Sequence, residues 1–343
     1  MYQLGTKWKL WNLQQLSQEI VDSISPLYRG YNLESPISLA ADFSYVEEGV
    51  KPLSVEQIAH DECSTRRDLY LSKRLRVGGE ETTTWGRIAG VLIDDFCKGL
   101  TIYFHGLAEH PEGLNYQKIE ELAQQYTDKF LCKHKTPLNN LKSRARTEEE
   151  QPEYLAYLLK QTAKYELIMI GADFYSSQVP GQQFVPLMQS IPIHFDKKSV
   201  QIHPGTHLGI SDNNTPDFII IDDPIVIGEI KSGNILLPHH LHTIAGYALA
   251  YESEHGADIN FGIVYFFQTH STSKEKNFAQ SYFFVIGDIL RKGFLSAREE
   301  AYKTLLMDLP PMLLRDKSEE SYKRTCTYCK YFSYCYPTTN GKS

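Results

Sequence analysis

No apolar run in the sequence approaches the length of a membrane span, and the opening MYQLGTKWKL lacks both a basic region feeding an apolar core and a cleavage site. The expected location is therefore the cytoplasm, with no membrane partner. A GxxxxGK(S/T) phosphate loop is also missing, so any motor activity has to come from another protein. Nor is there an excess of positive charge, since 35 lysines and arginines stand against 42 aspartates and glutamates and leave a net charge of -7. That balance argues against a generally basic nucleic-acid binder. It leaves open a local basic groove, with carboxylates reserved for metal. Cysteine is scarce, six in 343 residues, and unevenly placed. In a cytoplasmic chain such clustering points to a metal or cluster before it points to disulfides. The length suits one large core or two unequal domains.

What is present is organised around residues 216–231. Pro216-Asp217 opens a short apolar run, Asp222-Asp223-Pro224 makes a turn, and Ile225 to Lys231 reads IVIGEIK. Strand alternation puts Glu229 and Lys231 on one face, and a carboxylate beside a lysine in a buried strand is costly unless each has a partner. If the two runs pair across the turn, Asp217 meets Glu229. Two carboxylates can then hold a divalent ion while Lys231 places a water or balances charge on a phosphate. A solvated salt bridge on a surface hairpin is the plainer alternative.

Around this pair the pattern is mixed. Strands are expected at 184–188, 191–195, 199–203, 217–221, 225–231, 261–270 and 281–287, which suggests a mixed sheet rather than a clean dinucleotide-binding unit. Helices are expected at about 12–23, from a capping box at Ser54 and Gln57 into Cys63, at 82–100, 114–134, 152–169, 237–253 and 296–306. Residues 136–151 read as a mobile loop. Arg66 and Arg67, beside Cys63, are candidates for contact with DNA phosphates. Asp94 or Asp95 can bring a third carboxylate to the site, and Tyr247 and Tyr251 fall on the helix face that looks back at Glu229 and Lys231. His194, His203 and His207 match no familiar zinc spacing. The most specific signal is the tail, where Cys326, Cys329 and Cys335 form C-x2-C-x5-C. Three thiols need a fourth ligand for a tetrahedral metal or a cubane cluster, and Cys63 is the best candidate. Zinc is the strongest alternative to a cluster.

Asp217, Glu229 and Lys231 in a PD…ExK frame resemble the PD-(D/E)XK nuclease motif. Joined to the cysteine frame and to the CSTRRDLYL stretch at Cys63, they resemble the iron-sulfur RecB-like exonuclease family associated with CRISPR spacer acquisition, in particular its divergent archaeal members. The resemblance covers most of 53–337. It implies an α/β fold with a restriction-endonuclease-like core, a mixed central sheet, a helical insertion and a C-terminal iron-sulfur module. The corresponding segments are an N-terminal extension at 1–52, a basic helical segment with the first cluster cysteine at 53–110, the insertion at 111–180, the core at 181–307 and the module at 308–343, completed by Cys63.

The resemblance also implies Mg2+ or Mn2+ held by Asp217, Glu229 and the Ile230 carbonyl, with Lys231 and Tyr247 assisting. A 4Fe-4S cluster would sit on Cys63, Cys326, Cys329 and Cys335. The implied activity is processing of single-stranded or overhanging DNA ends beside the CRISPR adaptation integrase proteins, and a homo-oligomer stays open. Two departures bear on it. Gly90 stands where the family's G-x-x-x-H motif has histidine, with Asp94 as the candidate replacement, and Thr243 stands where a glutamine precedes the tyrosine. A catalytically weak iron-sulfur DNA-binding subunit and a helicase-linked recombination nuclease outside CRISPR are the alternatives.

Overall fold

The computed structural model describes residues 26–33, 51–60, 63–79, 85–108, 116–142, 152–177, 193–194, 200–221, 224–233, 235–269, 279–313, 326 and 329–337. The helix expected at 12–23, the strand at 184–188 and the basic stretch at 143–150 lie outside the described residues.

Five strands form one mixed sheet in chain order: β1 (Ile193–His194), β2 (Phe218–Ile220), β3 (Val226–Gly233), β4 (Phe261–Gln268) and β5 (Gln280–Val285). All neighbours are antiparallel except β3 and β4, which run parallel and are joined by helix α7 (Pro238–His255). A parallel pair needs such a crossover, and α7 supplies it. Alternation along the strands sorts side chains into two cores. Phe218, Ile220, Val226, Ile230, Ile263 and Tyr265 face helices α3 (Trp85–Ala108), α4 (Tyr116–Lys133) and α6 (Pro152–Ser177). Ile219, Ile227, Val264 and Phe266 face α1 (Val55–Ala59), α7 and α8 (Asp288–Leu306). Helices α3, α4 and α6 thus form one layer on the sheet, and α1, α7 and α8 another. Gly228 is required here, because a Cβ there would meet the Phe218 ring at 2.0 Å.

The N-terminal segment 26–33 is fastened to the second layer by a buried ionic knot. Glu252 accepts from Arg29 and from Arg291 at 2.7 Å each, and from the Gly30 backbone N–H at 2.8 Å. Arg291 is fully buried, which explains one correction. The expected helix at 296–306 begins eight residues earlier, at Asp288 after an extended Gly287 cap, because a paired arginine on its inner face hides the apolar stripe that Phe294 and Leu295 continue.

Two further expectations are corrected. Lys135–Lys142 is a helix, α5, rather than loop: Pro137 lies in its first turn and Leu138 packs on the core. Helix α1 has the capping box expected of Ser54 and Gln57 but stops at Ala59, where His60 turns extended, so it does not run into Cys63. The basic segment after Cys63 forms one short turn, α2 (Arg67–Leu69), and a π turn at Tyr70–Arg74. Among the described residues no helix is long and apolar enough to cross a membrane.

Candidate metal centre and cysteine pocket

β2 and β3 pair with Phe218 opposite Gly228, so Asp217 falls across from Glu229 as the sequence pattern required. This is no surface hairpin. Glu229 is 1% exposed, and both its carboxylate oxygens are buried. Lys231 Nζ stands 2.5 Å from Glu229 Oε2 in a close ion pair. Burial pushes the Glu229 carboxyl well above its ordinary range, and nearby Asp217 adds to the push. For Lys231 burial works against the charge, but Glu229 and then Asp217 outweigh it and hold the ammonium above its ordinary value. The pair is therefore short of positive charge. A carboxylate held this way gains most from a cation.

Asp217 is half-buried, and its Oδ2 accepts from the Ile230 backbone N–H at 2.8 Å. Ile230 thus reaches the site through its N–H. Asp94, on α3, lies close enough to Asp217 to feel its charge; burial raises its carboxyl, while Lys98 lowers it. Lys98 Nζ holds Asp94 Oδ2 at 2.6 Å, and Asp94 Oδ1 is buried with no hydrogen-bond partner. Asp217 stands between Asp94 and Glu229, and no three His, Cys, Asp or Glu side chains among the described residues are already gathered closely enough to hold one ion. The donor chemistry nevertheless fits a hard divalent cation, since Asp94 Oδ1 and Glu229 Oε1 are buried carboxylate oxygens with no hydrogen-bond donor.

A Cβ at Gly90 would point at Ser232 Oγ, 3.3 Å away on β3, whereas Gly86 faces open space and makes no close helix contact. Thr243 Oγ1 donates to His239 O within α7, one turn before Tyr247, and His242 packs against Gly293 of α8. Tyr247 does face the centre, but at 2% exposure it is no surface phosphate contact. Its hydroxyl donates to Thr215 O at 3.3 Å, and burial followed by the Glu229 charge keeps it protonated. Tyr251 is buried and stacks on His255. Sequence reasoning missed Glu56, which sits in the first turn of α1 and adds its negative charge to Glu229, Lys231 and Tyr247. Nothing but its place beside the capping box could have marked it.

The two basic residues after Cys63 turn inward. Arg66 has a left-handed backbone with φ 52°, is 7% exposed, and donates from Nη1 to Ile58 O at 3.1 Å and to His60 O at 3.4 Å. It closes the end of α1. Arg67 lines a pocket that is partly open to solvent, and so do Cys63, Cys326, Cys329 and Cys335. The four thiols, from residues far apart in sequence, therefore face one space. Cys329 accepts a backbone N–H from Tyr331 at 3.4 Å on sulfur, and burial pushes its thiol up to about 11. Burial also raises Cys326 and Cys335, the latter against the pull of Arg67. Four thiols around one space are a ligand set for a tetrahedral metal or a thiolate-bound cluster. Cys97 is buried in the core and Cys132 exposed on α4, both away from this pocket. His203 and His207 make no metal site; His207 Nε2 bonds with Gly30 O at 2.8 Å.

A family model described as "CRISPR-associated exonuclease Csa1" matches residues 2–331 of this chain. A protein named CRISPR-associated exonuclease Csa1, from Saccharolobus solfataricus, is 32% identical over 134 residues. That alignment spans 39% of this chain and 41% of the relative. The match across nearly the whole chain bears out the expected likeness to a CRISPR-associated exonuclease, and the chain belongs to the CRISPR-associated exonuclease Csa1 family.

Proposed function

We propose that the chain is a divalent-metal-dependent DNA exonuclease with a PD-(D/E)XK core, trimming single-stranded or overhanging ends during CRISPR spacer acquisition beside the adaptation integrase. The observation that carries this reading is Glu229, a carboxylate buried from water, set across from Asp217 and against Lys231. Asp217 and Glu229 would hold Mg2+ or Mn2+, with Asp94 joining once Lys98 releases it. When bound, the ion supplies Lewis-acid polarisation of the scissile phosphate and a water of lowered pKa. Lys231, held protonated, orients that water or offsets charge that builds on the phosphate. Tyr247 fixes the chain before Asp217 by its bond to Thr215 O.

The four-cysteine pocket would hold a 4Fe-4S cluster of structural role. It ties Cys63 to the far end of the chain and so fixes the basic turn between them.

Glu229→Ala tests the nuclease reading. With Mg2+ or Mn2+ and a labelled single strand, cleavage is expected to vanish while the circular dichroism spectrum stays that of the wild type. Unchanged cleavage by a contaminant-free preparation would sink the assignment. The hold of Lys98 on Asp94, together with the lost motif residues at Gly90 and Thr243, favours a second reading, a DNA-binding subunit of weak catalysis. Wild-type protein that binds DNA but does not cleave it with either metal would establish that alternative.

A further inference from the structure

Arg67 is built into the cysteine pocket rather than onto a DNA groove. The chain leaves Cys63 in a tight turn, with Arg66 N–H on Cys63 O at 2.7 Å, and the left-handed Arg66 then aims the next residue into the pocket. Arg67 Nη1 donates to Pro311 O at 2.5 Å, which anchors the guanidinium to the chain that leads into the C-terminal module. Its Nε is buried and has no hydrogen-bond partner, although it belongs to a side chain lining the same space as the four thiols. An arginine that already bonds a carbonyl on one edge and leaves a buried donor unused on another is short of an acceptor. The thiols are the group nearby that gains from a cation, and Arg67 lies beside Cys335. Four thiolates outweigh the positive charge of the iron and sulfide they hold, and reduction of a cluster adds another negative charge.

We propose that Arg67 is a positioning residue for a thiolate-bound iron-sulfur cluster, with its unused guanidinium N–H donating to a cluster or Cys335 sulfur and its charge offsetting that of the thiolates. The inference rests on the cluster reading given above. It assigns the residue that resembles a phosphate contact in the sequence to the cofactor instead. Asp68, which also lines the pocket, carries the opposing charge, so the balance in the pocket is set by adjacent residues of one turn.

The experiment uses anaerobically purified full-length protein, with iron, sulfide and zinc analysis followed by a spectroelectrochemical titration and a timed challenge with an iron chelator. Wild type that carries zinc, or no metal, overturns the cluster reading and this inference with it, before any variant is made. In a loaded wild type, Arg67→Gln is expected to shift the midpoint potential downward and to lose iron about tenfold faster, the usual range for a lost outer-shell partner. Wild-type potential and wild-type iron loss in Arg67→Gln overturn the role of Arg67 while leaving the cluster in place. Should Arg67→Gln fail to fold, Arg67→Lys decides: it keeps the charge but not the planar fork. Faster iron loss than wild type supports the assignment, and loss at the wild-type rate overturns it.

Discussion

The carboxylate centre and the cysteine pocket are assembled in opposite ways. Asp217, Glu229 and Lys231 come from two adjacent strands in the middle of the sheet, so register alone places them, and the layers on either side seal Glu229 from water. The pocket joins Cys63 to a tail more than two hundred residues later, and its walls are short turns such as α2 and α9 (Phe332–Cys335) rather than long elements. One site is stabilised by the fold around it. The other is drawn from distant parts of the chain, with Leu313, Tyr331, Phe332 and Tyr336 beside the thiols, and on the cluster reading proposed above it depends on what it binds.

The largest expected effect follows from that contrast. Cys63→Ala should remove all bound iron and free the tail, and the protease sensitivity of residues after 313 should rise, while the carboxylate centre keeps its affinity for Mn2+. Iron content, limited proteolysis and metal titration read the three parts separately. Loss of Mn2+ binding along with the iron would show that the sites are one cooperative unit, and the comparison would fail.

The next effect concerns pH and tests whether the sealed centre really carries a strained charge. Glu229 has a folded-state pKa raised above 4.5, the unperturbed value, so its contribution to stability is full below that pH and is lost as pH rises through the raised value. Metal-free protein should therefore melt lower at about pH 8 than at about pH 5 through this group, and Glu229→Gln should flatten that slope. Divalent metal, which requires the ionised carboxylate, should bind more tightly as pH rises and reverse the loss. Equal slopes for wild type and Glu229→Gln in thermal melts with chelator present would remove Glu229 as the strained group.

How far each site could be read in advance also follows from how it is built. The strand alternation of Ile225 to Lys231 predicts both the pairing with Asp217 and the shared face of Glu229 and Lys231, because period-two geometry is rigid. The cysteine spacing predicts a common pocket but not its walls. Arg66 and Arg67 read as a basic surface because charge in a sequence carries no sign of direction, and only the left-handed turn at Arg66 sends one side chain to helix carbonyls and the other among thiols. The same blindness to buried charge shortened α8 at Arg291. Glu56 was invisible for a different reason: it nears Glu229 through packing of α1 on α7, a contact with no local pattern.

Tyr247 offers the smallest and sharpest test, because it touches the centre without belonging to its chemistry. Its hydroxyl makes one long bond to Thr215 O, two residues before Asp217, and it lies too deep for a DNA phosphate. Tyr247→Phe removes that bond and leaves the ring in place, so the stability lost should be about 0.5–1 kcal/mol, the low end for a single neutral hydrogen bond. Cleavage should fall by roughly threefold, through a looser Asp217 and a weaker hold on the metal, with DNA affinity unchanged. A collapse of activity as complete as that expected for Glu229→Ala would instead make the Tyr247 hydroxyl part of the reacting set. It would mean that the sealed face of α7 opens to substrate, and that the centre is less rigid than its place in the sheet implies.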